Sequence, residues 1–272
     1  MIGFTLNEFR RLMSRRMTWL VPAGVGALMV VGVVIAYFVI SNDDDNSPDF
    51  VNDIAGGVEL ENLFAPVAFV IPLMAFVIGA SYFGADVKTG VIEQILTWEP
   101  RRSRLLVARV ISSVIGVAVL SAAVAVFFVA LMYGLAALTG TTDGITGELW
   151  TNLFQAIIRF GLAGGLFSAF GFGITVITNN SLASIVGFVV YFFIIDGLIG
   201  AFLKRVSPYT PVTNTSAFAS GTDVERIEGS VFVEEVQTVS VHGYLTAGVI
   251  VLAYVVVTLL IGSVLFQRRD ID

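Results

Sequence analysis

The sequence predicts an all-α integral membrane protein that crosses the bilayer six times, with both ends on the cytoplasmic side. Of its 272 residues, 56% are hydrophobic and only 13% are charged, whereas a soluble domain carries about 25% charged residues. Apolar runs of about 18 residues or more, long enough to cross a bilayer, recur along the whole chain. Lipid is therefore the main solvent of this chain, and we expect one transmembrane domain over residues 1–272.

Residues 1–17 predict an amphipathic helix that lies in the membrane interface. Apolar side chains recur there every three or four positions, at Ile2, Leu6, Phe9, Met13 and Met17. Arginines occupy the other faces, and a cytoplasmic extension of the first spanning helix is the alternative interpretation. The apolar run that follows is too long for a signal peptide and has no small-residue cleavage site, so we expect the segment to be retained.

Six longer apolar segments predict the spanning helices, at Trp19–Ile40, Leu63–Phe83, Leu106–Leu138, Phe154–Ile177, Leu182–Leu203 and Tyr244–Phe266. The third segment is longer than a bilayer requires, so we expect it to tilt or to project into water. Residues 204–243 form the longest polar stretch and lack the periodic apolar faces of an independent core. We expect this stretch to be extracellular and partly helical.

The basic residues orient the chain in the membrane, because cytoplasmic loops carry an excess of lysine and arginine. With the N-terminus inside, the cytoplasmic side receives Arg10, Arg11, Arg15, Arg16, Lys88, Arg101, Arg102, Arg104, Arg109, Arg268 and Arg269. Only Lys204, Arg205 and Arg226 fall clearly outside, where most of the acidic residues also lie. Both termini are therefore predicted to be cytoplasmic.

The cytoplasmic loop at residues 84–105 carries the most informative pattern. Ile92, Ile95 and Leu96 form an apolar stripe at helical spacing, Pro100 marks a break, and Arg101, Arg102 and Arg104 follow next to the third spanning helix. This pattern indicates a short helix that ends at a turn. The excess of arginine in cytoplasmic loops would explain the basic residues, but it would not explain an ordered apolar stripe outside the lipid.

Four groups of residues carry a resemblance to a known family. The loop contains Asp86, Lys88, Thr89, Gly90, Glu93, Ile95, Leu96, Pro100, Arg102, Ser103 and Arg104. The N-terminal segment contains Glu8, Phe9, Arg10, Arg11 and Arg15, the fifth spanning helix is followed by Val206–Pro211, and the chain ends with Phe266, Gln267, Arg268, Arg269 and Asp270. In these features the sequence resembles the membrane subunits of type-2 ATP-binding-cassette exporters.

The resemblance implies a permease that works with other subunits in a prokaryotic plasma membrane. Residues 84–105 would be the coupling helix that docks into a cytoplasmic ATPase subunit, and residues 1–17 would be the elbow helix. A second permease copy or a paralogue would complete the transporter. The segment near Pro208–Phe218 would return into the outer face of the membrane. ATP and Mg would be bound by the partner, so that no cofactor is expected in this chain.

The sequence itself argues against catalysis and against ATP binding in this chain. It contains no cysteine, which excludes thiolate metal sites. Its one histidine, His242, lies in the predicted outer loop near the last helix, so we expect neither H-E-x-x-H metal chemistry nor serine-histidine hydrolysis. It contains no G-x-x-x-x-G-K-[ST] phosphate loop. Nothing indicates a nucleic-acid partner. The tripeptide Asn214-Thr215-Ser216 matches the glycosylation sequon, and we interpret it as a chance occurrence unless the cell glycosylates exported loops.

Two charged residues interrupt apolar segments, Arg159 in the fourth and Asp196 in the fifth. Because a charge within the bilayer costs at least about 2.5 kcal/mol, each should find a partner or face water. A similar depth in adjacent antiparallel helices predicts that they form an ion pair, and the alternative is that they line a substrate path. Glycines in the fourth segment predict close helix packing, with flexibility during gating as the alternative, whereas the phenylalanines of the fourth and fifth segments could line an apolar cavity or face lipid.

The function that fits these patterns best is a permease subunit of an ATP-driven exporter. One alternative is a regulatory or scaffold membrane protein that uses the same fold without moving a substrate. A stand-alone secondary transporter is another alternative, although such proteins are typically built from internal repeats. The sequence shows no convincing internal repeat, while Pro66 and Pro72 interrupt the second spanning segment.

Overall fold

The computed structural model describes residues 2–42, 60–98, 101–139, 147–228 and 237–268. In chain order its elements are α1 (Ile2–Met13), α2 (Arg16–Asn42), α3 (Leu60–Lys88), α4 (Val91–Trp98), α5 (Arg102–Thr139), α6 (Gly147–Thr178), α7 (Ser181–Val190), a π-helical turn (Tyr191–Ile195), α8 (Asp196–Phe202), a 3-10 turn (Ser207–Tyr209), α9 (Pro211–Ser220), β1 (Val224–Glu228), β2 (Gln237–His242) and α10 (Tyr244–Arg268).

The described residues contain six helical segments that are long and apolar enough to cross a membrane, and these match the six predicted segments. They run over Arg16–Phe38, Val67–Lys88, Arg102–Leu135, Leu149–Thr178, Ser181–Phe202 and Tyr244–Arg268. The fifth segment consists of α7, the π-helical turn and α8. The prediction of an all-α integral membrane protein is thus confirmed, with a small β-hairpin as the only strands in the described part of the chain.

Helices α3 and α6 form the centre of the bundle, and glycines allow them to approach closely. A Cβ atom at Gly171 would lie 2.5 Å from the carbonyl oxygen of Phe76, and one at Gly79 would overlap the backbone of Ser168. Small residues are the usual means by which membrane helices bring their backbones together. The predicted packing role of the glycines in the fourth segment is therefore confirmed, at Gly161, Gly164, Gly165, Gly171 and Gly173.

Most of the phenylalanines that the sequence suggested as a cavity lining fill the core instead. Phe160, Phe167 and Phe172 are fully buried, and the ring of Phe188 stacks on Phe76 with centroids 3.9 Å apart. Phe193 points outward and is 58% exposed. Aromatic rings in face-to-face and edge contact stabilise a core beyond the area that they bury, and here they join α3, α6 and α7.

The segment between the fifth and sixth spanning helices folds back into the bundle. Helix α9 begins at Thr210, whose side chain accepts a hydrogen bond from the Thr213 amide, and ends at Gly221 with φ of 85°. It packs against α3, α6 and α10. A helical portion near Pro208–Phe218 was predicted, and it is present. The antiparallel hairpin β1–β2 that follows was not predicted.

Candidate functional site

Five charged side chains from α1, the turn after α1, α3 and α5 meet at one end of the bundle, and we call them the ionic cluster: Glu8, Arg11, Arg15, Asp86 and Arg109. The excess of basic residues assigns this end to the cytoplasm. Glu8 and Asp86 are only 5% and 2% exposed, and Arg109 is completely buried. Such burial is unusual for charged side chains unless they are paired.

Asp86 lies at the centre of the ionic cluster and contacts all three of its arginines. Arg11 Nη2 donates to Asp86 Oδ1 at 2.8 Å, Arg15 Nη2 donates to the same oxygen, and Arg109 Nη2 lies 3.0 Å from Oδ2. Because the desolvation of a charge is costly, these groups are stable inside the protein only as a set. Removing one partner would leave the others buried and unpaired.

Glu8 extends the ionic cluster to a tyrosine that the sequence interpretation missed. Arg109 Nε lies 3.4 Å from Glu8 Oε2, and Tyr82 Oη donates to the same carboxylate oxygen at 2.8 Å. Arg15 Nη1 in turn donates to the Tyr82 carbonyl oxygen at 3.0 Å. Tyr82 precedes Asp86 by four residues, which places both on one face of a helix. This four-residue spacing from Asp86 is the sequence signal from which Tyr82 could have been found.

The ionic cluster connects α1, α3 and α5, and the short helix α4 lies between α3 and α5 in the chain. Arg11 of the elbow helix α1, and Arg15 just after it, contact Asp86 at the end of α3. Glu8 of α1 contacts Arg109 in the second turn of α5. The chain joins α3 to α5 through α4. A displacement of α4 would therefore act on all three helices together, since their charged contacts cannot separate individually without leaving unpaired charges.

Helix α4 turns Ile92, the first residue of the predicted apolar stripe, into the bundle. Ile92 is 5% exposed and belongs to the main hydrophobic core, so this part of the stripe contacts helices of the same chain. Ile95 is half-buried, while Gln94 and Thr97 are exposed. The side chains of Glu93 and Leu96, and all of Pro100, lie outside the described residues.

A tight turn separates α3 from α4. Thr89 Oγ1 donates to the Ala85 carbonyl oxygen at 2.9 Å, and Gly90 adopts φ of 68°. This left-handed backbone is accessible to glycine without strain. Thr89 and Gly90 therefore have a local role in ending α3, in addition to the predicted role in coupling.

Two other residues of the predicted coupling pattern contact this chain instead of facing outward. Asp86 belongs to the buried ionic cluster, and Arg102 Nη1 donates to the Phe266 carbonyl oxygen at 3.1 Å. A guanidinium at a helix C-terminus interacts favourably with the helix dipole, so Arg102 attaches the start of α5 to the end of α10. Arg104 is half-buried, whereas Arg10 on the elbow helix is exposed.

The predicted ion pair between Arg159 and Asp196 is not formed. Arg159 Nη2 donates to the Ser220 carbonyl oxygen at 3.1 Å, and its guanidinium carbon lies 5.7 Å from the Tyr244 ring centroid. Asp196 Oδ1 instead accepts from Tyr191 Oη at 3.3 Å. The prediction failed because α9 folds back beside Arg159 and places its C-terminal carbonyl groups against the guanidinium. The role of Asp196 in a substrate path stays a prediction.

Within the described residues, no group of histidine, aspartate and glutamate side chains could hold a metal ion. The carboxylates of the ionic cluster already contact arginines. The charged side chains of the ionic cluster therefore serve to connect the helices at this end of the bundle.

Comparison with known proteins adds one finding. The sequence profile of a family described as "ABC-2 family transporter protein" matches residues 5–271, which is nearly the whole chain. A comparison with curated proteins gives no match.

Proposed function

Because the chain belongs to the ABC-2 family of transporter proteins, we propose that this permease is one subunit of an ATP-driven exporter. Its energy source is a separate cytoplasmic ATPase, since the sequence has no phosphate-binding loop of the G-x-x-x-x-G-K-[ST] type. ATP and Mg belong to that partner. The outward direction of transport rests on the resemblance of the sequence to type-2 exporters.

The observation that carries the proposal is that α4 joins α3 to α5, the two spanning helices that the ionic cluster connects to each other and to α1. Helix α4 presents Gln94 and Thr97 at the cytoplasmic end and anchors Ile92 in the core. A partner that binds the exposed side of α4 pushes on α3 and α5 directly and on α1 through the buried charges. This arrangement supports transmission of movement from an ATPase to the spanning helices.

A second permease completes the proposed transporter. Only 11% of the most apolar part of the first span and 17% of that of the fifth are buried within the chain. These helices are therefore available for contact with lipid or with another permease subunit. The proposed partner is a second copy or a paralogue of this chain.

The coupling role can be tested with matched glutamine substitutions at the cytoplasmic end. Gln94→Arg places a bulky charge on the exposed side of α4 and is expected to weaken ATPase binding at least about tenfold, which corresponds to about 1.4 kcal/mol. Gln267→Arg places the same side chain at an exposed position near the end of α10 and serves as the control. The measurements are binding of the separately purified ATPase and the ATP hydrolysis rate in proteoliposomes.

Ile95→Asp changes a half-buried side chain of α4. It is also expected to weaken ATPase binding, while the permease remains inserted in the membrane. Wild-type ATPase binding and wild-type hydrolysis by both α4 variants would contradict the assignment of α4 as the docking helix. An equal loss in the Gln267→Arg control would show that the effect is not specific to α4.

A further inference from the structure

An apolar cleft of about 170 Å³ lies between α5, α6 and α10. Its walls include Leu106 and Val107 of α5, Val176 of α6 and Leu259 of α10, with the hydroxyl-bearing Ser103 and Ser263 toward one end. We propose that this cleft holds the first methylene groups of one acyl chain of an anionic phospholipid from the cytoplasmic leaflet, with the lipid phosphate at the arginines beside its mouth.

The cleft opens onto the surface of the bundle that faces lipid. Val107 and Ile111 both line it, yet they are 47% and 42% exposed. Ser103 follows the first residue of α5, and Ser263 lies five residues before the end of α10. At about 1.5 Å per residue, both are within roughly two turns of the cytoplasmic helix ends. This is the depth at which the first acyl carbons of an inner-leaflet lipid lie.

The size and lining of the cleft select a hydrocarbon chain over other ligands. Pockets for drug-sized molecules occupy about 300–1,000 Å³, which is more than the 170 Å³ found here. An apolar cavity of about 150 Å³ excludes water but accepts a small hydrocarbon. Two glycines, Gly173 and Gly262, form part of the wall and bring α6 and α10 close together there, since a Cβ atom at Gly262 would lie 3.2 Å from Val176 Cγ1.

The mouth of the cleft carries positive charge that complements a lipid phosphate. Arg102 bridges its two sides, since it belongs to α5 and donates to the carbonyl oxygens of Phe266 and Gln267 in α10, at 3.1 and 3.4 Å. Arg101 and Arg268 are exposed beside it. The guanidinium of arginine matches the geometry of a phosphate group. The backbone amide groups at the start of α5 also favour an anion. Basic pockets between helices on the cytoplasmic side suit anionic lipid headgroups.

Two matched pairs of variants test the proposal in the purified permease, without its ATPase. Val107→Phe fills the cleft, and Val119→Phe makes the same change on the same helix at a position that is 60% exposed and outside the cleft. Arg101→Gln removes a mouth charge, and Arg10→Gln removes an exposed arginine from the elbow helix. Native mass spectrometry measures retention of phosphatidylglycerol and phosphatidylcholine with identical acyl chains, and thermal unfolding checks that each variant is folded.

The wild-type protein is expected to retain phosphatidylglycerol in preference to phosphatidylcholine, and Val107→Phe is expected to abolish that retention while Val119→Phe leaves it unchanged. Arg101→Gln should weaken it about fivefold, with no change in Arg10→Gln. Ile111→Phe replaces Val107→Phe if the latter does not fold. Equal retention of the two lipids, wild-type retention by the filled cleft, or an equal loss in Arg10→Gln would each overturn the proposal. Because no ATPase is present, failure here leaves the coupling proposal unaffected.

Discussion

At the scale of single residues, the ionic cluster explains why Asp86, Arg109 and Glu8 can be charged and yet almost inaccessible. Three arginines surround two carboxylates, and each carboxylate contacts at least two cations. The position of Asp86 near the end of a spanning helix also gives it a structural role that the coupling pattern did not suggest. We therefore expect a substitution of Asp86 to lower the free energy of unfolding as well as the rate of transport.

Asp86→Asn preserves the size of the side chain but removes the charge that balances Arg11, Arg15 and Arg109. We expect it to lower the free energy of unfolding by about 3 kcal/mol, the cost of breaking a buried ion pair. The measurement is unfolding of the detergent-solubilised permease, monitored by temperature and denaturant. Asp223→Asn, at an exposed aspartate before β1, is the matched control. Equal stability of the two variants would refute the structural role of Asp86.

At the scale of elements, α9 is a short helix that is fixed at both ends and along its side. Asn214 Nδ2 donates to the carbonyl oxygens of Pro208 and Thr210, both at 2.8 Å, and Asn214 Oδ1 lies 2.8 Å from His242 Nε2. Asn214 is completely buried. A glycan could not be attached there without unfolding α9, which supports the interpretation of the sequon as a chance tripeptide.

The C-terminus of α9 depends on Arg159, whose guanidinium contacts the Ser220 carbonyl oxygen and the Tyr244 ring. Arg159→Gln removes a favourable charge at a helix C-terminus and a cation–π contact, each worth about 0.5–2 kcal/mol. We expect the amides of residues 211–220 to exchange with solvent about 5–30 times faster, as measured by hydrogen–deuterium exchange with mass spectrometry. Gln155→Ala, an exposed change one turn earlier in α6, should leave exchange unchanged, and wild-type exchange in Arg159→Gln would contradict this role.

At the scale of the whole molecule, six crossings bring the two chain ends to the same side. The hydrogen bond from Arg102 to Phe266 attaches the end of α10 beside the start of α5, and the contacts from Arg11 and Arg15 to Asp86 place α1 at that same end. The basic residues assign that end to the cytoplasm. The orientation is therefore open to a direct test in cells.

The absence of cysteine from the chain allows single cysteines to report the orientation. Ser240→Cys in β2 and Ser14→Cys after α1 are both small changes at exposed positions. In intact cells, a membrane-impermeant maleimide is expected to label Ser240→Cys only, and Ser14→Cys should react once the membrane is permeabilised. Labelling of Ser14→Cys alone in intact cells would show that the topology is inverted.

The sequence alone determined the number, the approximate bounds and the predicted orientation of the spanning helices, because these depend on local properties. A run of apolar residues is recognised by its length, and lysine and arginine report the cytoplasmic side. The elbow helix and α4 were also predicted from their own periodicity. The hairpin β1–β2 was missed because its strands are only five and six residues long and were judged by the helical period.

The faces on which the helices pack against one another are known from the three-dimensional contacts and not from the sequence. Lipid is as apolar as a protein core, so a spanning helix carries no hydrophobic stripe that marks its packed side. Spacing places Tyr82 and Asp86 on one face of α3, but their meeting with Arg109 and Glu8, and the insertion of α9 beside Arg159, could not be inferred from it. Equal depth in neighbouring helices predicted an ion pair between Arg159 and Asp196, but the guanidinium of Arg159 contacts the C-terminus of α9 instead.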